Sequence, residues 1–393
     1  MLQTIPIDTV TVSQSSLDID NKIRSNRFSW KGQFSPQLVH SLLRAYAGDG
    51  CSILDPFMGS GTVLVEAGCL GHCVSGAEIN PAAFHMALVY RLINSPLDIR
   101  RETMAPMNQS ILSAFSAPLG PPDVETVLVA LWRDEPDTIR RSLYGTLIVL
   151  VDLYENYLTS SKVVAKWRAL QEIVLALPYS VQLVTPIHCD ARRLPLESNT
   201  VDLVLTSPPY INVFNYHQQY RASIEAMGWD ALRVARAEVG SNRKHRQNRF
   251  LTVVQYCLDM NMVFQELYRV CKPFARIIFV VGRESNVLQT KFYNSDIVAR
   301  IAMQSVGFVA ECRQERSFRN RFGALIYEDI LHFRPPQSPT QCKSPTDIAR
   351  EVLEEAYMGC PVEASSRLRD ALVLMAGVSP SNLYISTDDS GIK

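Results

Sequence analysis

The chain carries no net charge, since 39 Lys and Arg balance 39 Asp and Glu among its 393 residues. A polyanion must therefore be held by local basic patches, because the field of the whole molecule attracts none. No apolar run approaches the roughly 20 residues that a bilayer crossing requires. The longest nearly apolar stretch, residues 143–153, is interrupted by Asp152, and no membrane span is expected. The opening residues lack the basic start and apolar run of a secretion signal, so a cytoplasmic location is expected. No Cys-x-x-Cys pair occurs, and the nine cysteines are an odd number scattered through apolar segments. They read as small core residues in a reducing compartment, not as staples or zinc ligands, and no metal site is expected.

What is present is the composition of an ordinary globular protein, 47% apolar, with length for more than one folding unit. Residues 1–21, polar and β-branched without a period, read as a flexible arm. From residue 51 the pattern runs strand, glycine-bearing loop, helix, strand (CSILD, PFMGSG, TVLVEAGCLG, HCVSGAEIN), the signature of a βαβ unit. Residues 95–182 break this alternation with long helical periodicity and read as a helical insertion. Strand-like segments resume at VQLVTPIHCD and VDLVLTS, and later at ARIIFVVG, GFVAEC and IYEDILHF. The expected architecture is an α/β, Rossmann-like sheet, mostly parallel with a C-terminal antiparallel hairpin. It is built from residues 22–94 and 183–335, with a linker and small helical tail over 336–393.

Two stretches carry chemistry. The first is Asp55-Pro56-Phe57-Met58-Gly59-Ser60-Gly61-Thr62, placed after a strand and opening a helix, with Glu78 at the end of the next strand. Two glycines let backbone approach a ligand, the helix start offers free N–H groups to an anionic part, and Glu78 can accept ribose hydroxyls. That pattern describes an adenosine-containing ligand. A third glycine, usual in dinucleotide sites, is missing at Thr62, Val63 and Leu64, so a single carboxylate, as in S-adenosyl-L-methionine, fits better than a pyrophosphate.

The second is the strand Val201–Thr206 followed by Ser207-Pro208-Pro209-Tyr210. Successive prolines cannot donate backbone hydrogen bonds, so they end the ladder and leave a stiff segment with free carbonyls. Ser207 and the carbonyl of Pro208 can accept the two hydrogens of an exocyclic amino group, and Tyr210 can stack on the base. His217 is a candidate base that the chemistry does not require. A ring-carbon methylation would need a cysteine after a proline at a strand end, and there is none.

DPFMGSGT followed by TSPPY resembles the amino-group DNA methyltransferases, which use S-adenosyl-L-methionine to methylate cytosine N4 or adenine N6. The resemblance covers roughly residues 27–94 and 183–335. It implies cofactor contacts for Phe34 and Pro36 in QFSPQLV, and for Asp190 in HCDARRL beside the adenine amino group, together with Asp55, Phe57, Gly59, Ser60, Gly61, Thr62 and Glu78. It implies a catalytic group of Ser207, Pro208, Pro209 and Tyr210. The Ser-Pro-Pro-Tyr form is typical of the cytosine-N4 subgroup, while Asp or Asn at position 207 would point to adenine N6. Adenine-N6 methylation of DNA, RNA base methylation and a non-catalytic nucleic-acid-binding role are the alternatives. The implied partner is double-stranded DNA, with a cognate restriction endonuclease as a further candidate.

Asn212 and Tyr216 follow the catalytic strand, and Arg243, Lys244, Arg246 and Arg249 come soon after. Amides and aromatics suit a flipped base, and basic residues suit phosphates. Arg313, Arg316, Arg319 and Arg321 form a second cluster, read as interrupting the last hairpin, which Lys22, Arg24 and Arg27 are expected to join across the cleft.

Overall fold

The computed structural model describes residues 1–154, 158–211, 215–240, 243–320, 323–338 and 342–385. The chain opens with α1 (Gln14–Asp18) and α2 (Pro36–Tyr46), whose first turn holds Pro36, a position where the missing N–H is no loss. Then come β1 (Ser52–Asp55), α3 (Thr62–Cys69), β2 (Cys73–Ala77) and α4 (Pro81–Leu88), the last continued by tight turns to Asn94. Four helices follow: α5 (Leu97–Ala114), α6 (Pro121–Asp134), α7 (Thr138–Val151) and α8 (Ser160–Leu175). The sheet resumes with β3 (Val184–Ile187) and β4 (Val201–Thr206), succeeded by α9 (Arg221–Ala226), α10 (Ala231–Ala237) and the long α11 (Phe250–Val270). The remainder is β5 (Cys271–Gly282), the small hairpin β6 (Ser285–Val287) and β7 (Thr290–Phe292), α12 (Asn294–Arg300), β8 (Val309–Arg319), β9 (Leu325–Arg334), α13 (Pro345–Tyr357) and α14 (Val362–Leu374).

Seven strands form one sheet in the order β3-β2-β1-β4-β5-β9-β8. The first five pair in parallel, and β9 runs antiparallel to both β5 and β8. This is the expected Rossmann-like sheet with its antiparallel hairpin. Apolar β1 and β4 sit at its centre, with Ile53, Leu54, Leu203, Val204 and Leu205 each at most 1% exposed. Helices cover both faces, so these strands are apolar on both sides and not alternating. The order reverses between β1 and β4, and ligands of such sheets bind in the crevice outside the carboxyl ends there.

Three expectations need correction. Residues 1–21 are not a loose arm, because Ile5, Val12 and Leu17 are buried and the chain pairs with the sheet edge. Asp8 N–H donates to the Arg313 carbonyl (2.9 Å), and Arg313 N–H donates to that of Pro6 (2.8 Å). An unpaired edge strand is a template for such pairing. The tail helices do not stand apart either: Ile348, Leu353 and Leu368 join the core beneath α11. Finally, the arginines of the last hairpin do not interrupt it, since β8 runs through Arg319.

Candidate functional site

Asp55 ends β1, and its Oδ1 accepts both Thr206 Oγ1 at 2.6 Å and the Phe57 N–H at 3.1 Å. One carboxylate thus joins the ends of β1 and β4 and sets the turn into the glycine loop. Burial pushes its pKa up to about 7 against the lowering effect of those two donors. The loop needs both glycines. Gly59 has φ 52° and Gly61 φ 87°, and a Cβ on Gly61 would stand 2.8 Å from the Tyr90 ring. Beyond β2, Glu78 Oε2 accepts the Gly59 N–H (3.0 Å) and Oε1 accepts the Asn80 N–H (2.7 Å). Burial raises Glu78 to about 7 in spite of these bonds, with Glu238 and Asp55 adding to the rise.

The loop and these carboxylates line one cavity. Of the residues expected at the cofactor, Phe34, Asp55, Phe57, Gly59, Ser60, Thr62, Glu78 and Asp190 line it. Gly61 is not in the lining and is the N-cap of α3. Pro36 does not line it: the residue is buried in the first turn of α2, where it serves the helix start. Asp190 is in the wall, but its carboxylate is fully engaged. Oδ1 accepts the Arg192 backbone N–H and Nε, and Oδ2 accepts Arg192 Nη2 and the Tyr384 N–H. The expected contact with an adenine amino group therefore has no uncommitted carboxylate oxygen in this arrangement.

Ser207 and Pro209 line the same cavity, so the two sequence motifs meet in one space. Pro208 is buried behind them, and Tyr210 stands outside the cavity wall. Its ring lies on Gly282, where a Cβ would come within 2.8 Å of it. The Tyr210 hydroxyl is 3.3 Å from Ser207 Oγ and donates to Glu328 Oε1, also at 3.3 Å.

Several cavity residues were not foreseen. Trp30 stacks on Tyr216 (6.1 Å, 13°) and on Tyr220 (6.4 Å, 19°). Tyr216, expected to face nucleic acid, is thereby part of the cavity wall. Gln33 donates from Nε2 to Ser60 Oγ at 2.6 Å. Glu238 lines the cavity while its Oε2 lies 2.7 Å from His217 Nδ1, so His217 is a buried partner of a carboxylate. A tryptophan six residues ahead of Pro36, and a glutamate remote from either motif, gave no local signal.

The basic residues divide. Lys244 and Arg246 line a second cleft together with Arg221, Arg236 and His217; its described lining holds no carboxylate, though Arg221 Nε donates to Glu225 Oε1 at 2.7 Å. Lys244 Nζ donates to Ser379 Oγ at 2.9 Å. Arg249 stands at the start of α11. The β8 arginines are otherwise committed: Arg316, 6% exposed, lies 3.4 Å from Glu328, and Arg313 pairs with Glu315 and Asp329. Arg319 donates to the Gly323 carbonyl within the hairpin. Arg24 pairs with Glu66 at 2.5 Å, so it does not join the β8 arginines. Asn212, Arg321 and the Arg243 side chain lie outside the described residues. Among the described residues no three side chains are grouped as metal ligands, and no helix is long and apolar enough to cross a membrane.

Fold and cavity together define a doubly wound α/β protein with a ligand pocket at the carboxyl ends of β1, β2 and β4. Within that class, a family model described as DNA methylase, of the N6/N4 amino-methyltransferase kind, matches residues 12–89. The Type II methyltransferase M.MjaII of Methanocaldococcus jannaschii is 46% identical over 52 residues, which make up 13% of this chain and 10% of that protein. The match therefore spans a small part of either. Among solved structures, TrmN from Thermus thermophilus aligns with TM-score 0.33 and 14% identity over 78% of this chain and 50% of its own. An S-adenosylmethionine-dependent methyltransferase from Methanosarcina mazei aligns with TM-score 0.35 and 12% identity over 75% of this chain and 96% of its own.

Proposed function

We propose that the protein is an S-adenosyl-L-methionine-dependent methyltransferase that modifies the exocyclic amino group of a base in DNA, with cytosine N4 the favoured target. The observation that carries this reading is the Asp55–Thr206 hydrogen bond, beside which the glycine loop and Ser207 and Pro209 line one cavity. The match of residues 12–89 to the DNA methylases supports the cofactor half, and Ser at position 207 supports cytosine over adenine.

The residues fit such a cofactor. Each Glu78 oxygen accepts one N–H and keeps a second lone pair for a ribose hydroxyl. Gly59 lies under the Trp30 ring, where a Cβ would meet it at 3.3 Å, so backbone and indole form a narrow cradle. The first N–H groups of α3 would receive its carboxylate, and Gln33, whose two amide hydrogens go to the Phe28 carbonyl and Ser60 Oγ, holds the loop beside them. When bound, the cofactor supplies an electrophilic methyl on a sulfonium.

The protein's part is placement. Ser207 Oγ and the Pro208 carbonyl hold the amino hydrogens and aim the nitrogen lone pair, and Tyr210 supports Ser207 from outside the cavity wall. Alignment of this kind carries much of the rate without a strong base. The cleft of Arg221, Arg236, Lys244 and Arg246 suits phosphates beside the base.

The test is incubation with tritiated cofactor and separate DNA and RNA pools, followed by nucleoside mass spectrometry. N4-methylcytosine from DNA is the expected product. N6-methyladenine would correct the base, an RNA product would correct the substrate, and no transfer to any pool would refute the reading.

A further inference from the structure

The Tyr210 seat is built by three strands. Gly282 closes β5, and its cross-strand partner in β9 is Glu328, whose own partner in β8 is Arg316. Gly282 leaves room for the ring, Glu328 receives the hydroxyl, and Arg316 holds the far oxygen of Glu328 at 3.4 Å. The hydroxyl lies between Ser207, which lines the cavity, and a carboxylate behind it. These contacts form a continuous chain of exchangeable protons from cavity wall to sheet: Ser207 Oγ, Tyr210 Oη, Glu328 Oε1.

We propose that Glu328 positions Tyr210 and receives, through the Tyr210 and Ser207 hydroxyls, the proton that the amino group releases on methylation. This rests on the function proposed above. As the nitrogen bonds to the methyl carbon, the carbon–sulfur bond breaks and its electron pair stays on sulfur, leaving the nitrogen cationic with one proton in excess. Ser207 accepts that proton as its own moves to Tyr210, and the Tyr210 proton moves to Glu328. Both hydroxyls end neutral and Glu328 ends as the acid. Its side chain, 14% exposed, then loses the proton to water.

The surroundings suit this role. Burial raises the Glu328 pKa above the usual glutamate value, and neighbouring Asp329 adds to the rise, while Arg316 and the Tyr210 hydroxyl oppose it. Asp329 is itself held by Arg283 at 2.8 Å and by Ser295 at 2.7 Å. Burial and the Glu328 charge keep the Tyr210 phenol well above its ordinary value, so it relays a proton without holding a charge.

Two readouts test the chain. In protein labelled with 3-fluorotyrosine, the fluorine resonance absent from Tyr210→Phe belongs to Tyr210. Its shift should show a step as Glu328 titrates, above the ordinary glutamate range, and no step in Glu328→Gln. In single turnovers, wild-type methylation should fall at acid pH, whereas Glu328→Gln should be slower by about 100-fold at neutral pH and lack that acid limb. Tyr210→Phe keeps the ring on Gly282 and should be slowed similarly with product affinity unchanged, which serves should Glu328→Gln not fold. The same fluorine step in Glu328→Gln, or a near-wild-type rate in Tyr210→Phe, would overturn the proposal. A wild-type protein that methylates no nucleic acid would refute the proposed function, and the fluorine titration would still decide the Glu328–Tyr210 coupling.

Discussion

Thr206 Oγ1 donates to Asp55 Oδ1 at 2.6 Å, linking the last residues of two neighbouring parallel strands where the strand order reverses. Both residues are buried, so the bond has no competition from water. Thr206→Val keeps the shape and removes the donor, leaving Asp55 with only the Phe57 N–H. Loss of such a bond costs about 1–3 kcal/mol. Urea titration should show that loss, and calorimetry should show weaker binding of S-adenosylhomocysteine as the glycine loop loosens.

Glu78 should make binding of that product pH-dependent. Its folded pKa is raised from 4.5 to about 7, and in the proposed binding mode the ribose hydroxyls would donate to the ionised form. Binding then drives off a proton below that pH. Affinity should rise with pH, by roughly tenfold per unit well below the midpoint, and level off above it. Glu78→Gln should bind more weakly and show a flat profile over the same range. An unchanged slope in the variant would rule out this role for Glu78.

Gly145 is a stability determinant outside the cavity lining. A Cβ there would come within 2.5 Å of the His85 ring, which is fully buried. Gly145→Ala should destabilise the protein by about 1–3 kcal/mol through overpacking. His85 itself is held neutral, its pKa pushed down to about 3 by burial with His188 nearby. The unfolded chain takes up this proton below about 6.5 and the folded chain does not, so stability falls as pH drops below that value. His188, lowered to about 4, and His332, lowered to about 3, act in the same direction. Urea midpoints at pH 5 and pH 7 should differ less in His85→Gln than in the wild type.

Lys244→Glu with Arg246→Glu should weaken DNA binding across sequences while leaving product affinity unchanged. The salt dependence of binding should become shallower by about one in slope for each phosphate contact removed. Unaltered affinity and slope would remove this cleft from the nucleic-acid path.

Tyr210→Ala should abolish methyl transfer and leave cofactor affinity intact, because Tyr210 is outside the cavity lining while Ser207 and Pro209 are in it. Activity near wild type would exclude Tyr210 from the base site.

The parts legible beforehand are those written in local pattern. The apolar runs of β1 and β4, the glycine loop and the Ser-Pro-Pro-Tyr turn all express restrictions on neighbouring residues, whether burial on both faces, positive φ or a missing N–H. Charge is not legible in the same way. Arg313 and Arg316 look like phosphate ligands as a string, yet Glu315, Asp329 and Glu328 already hold them, two of these partners from the adjoining strand. Asp190 reads as a ligand contact in the string, yet a side chain two residues on and the backbone of Tyr384 occupy it.

By itself the amino-acid order determined the strand-loop-helix alternation, the two motifs and their places at strand ends, since steric limits and hydrophobic period act over a few residues. Only the tertiary structure decided that Trp30 roofs Gly59, that Glu238 faces the cavity with His217 behind it, and that Tyr210 rests on Gly282 with its hydroxyl on Glu328. Those contacts join segments up to 118 residues apart. Whether a polar group is spent or available depends on partners that only the assembled sheet brings within hydrogen-bonding distance.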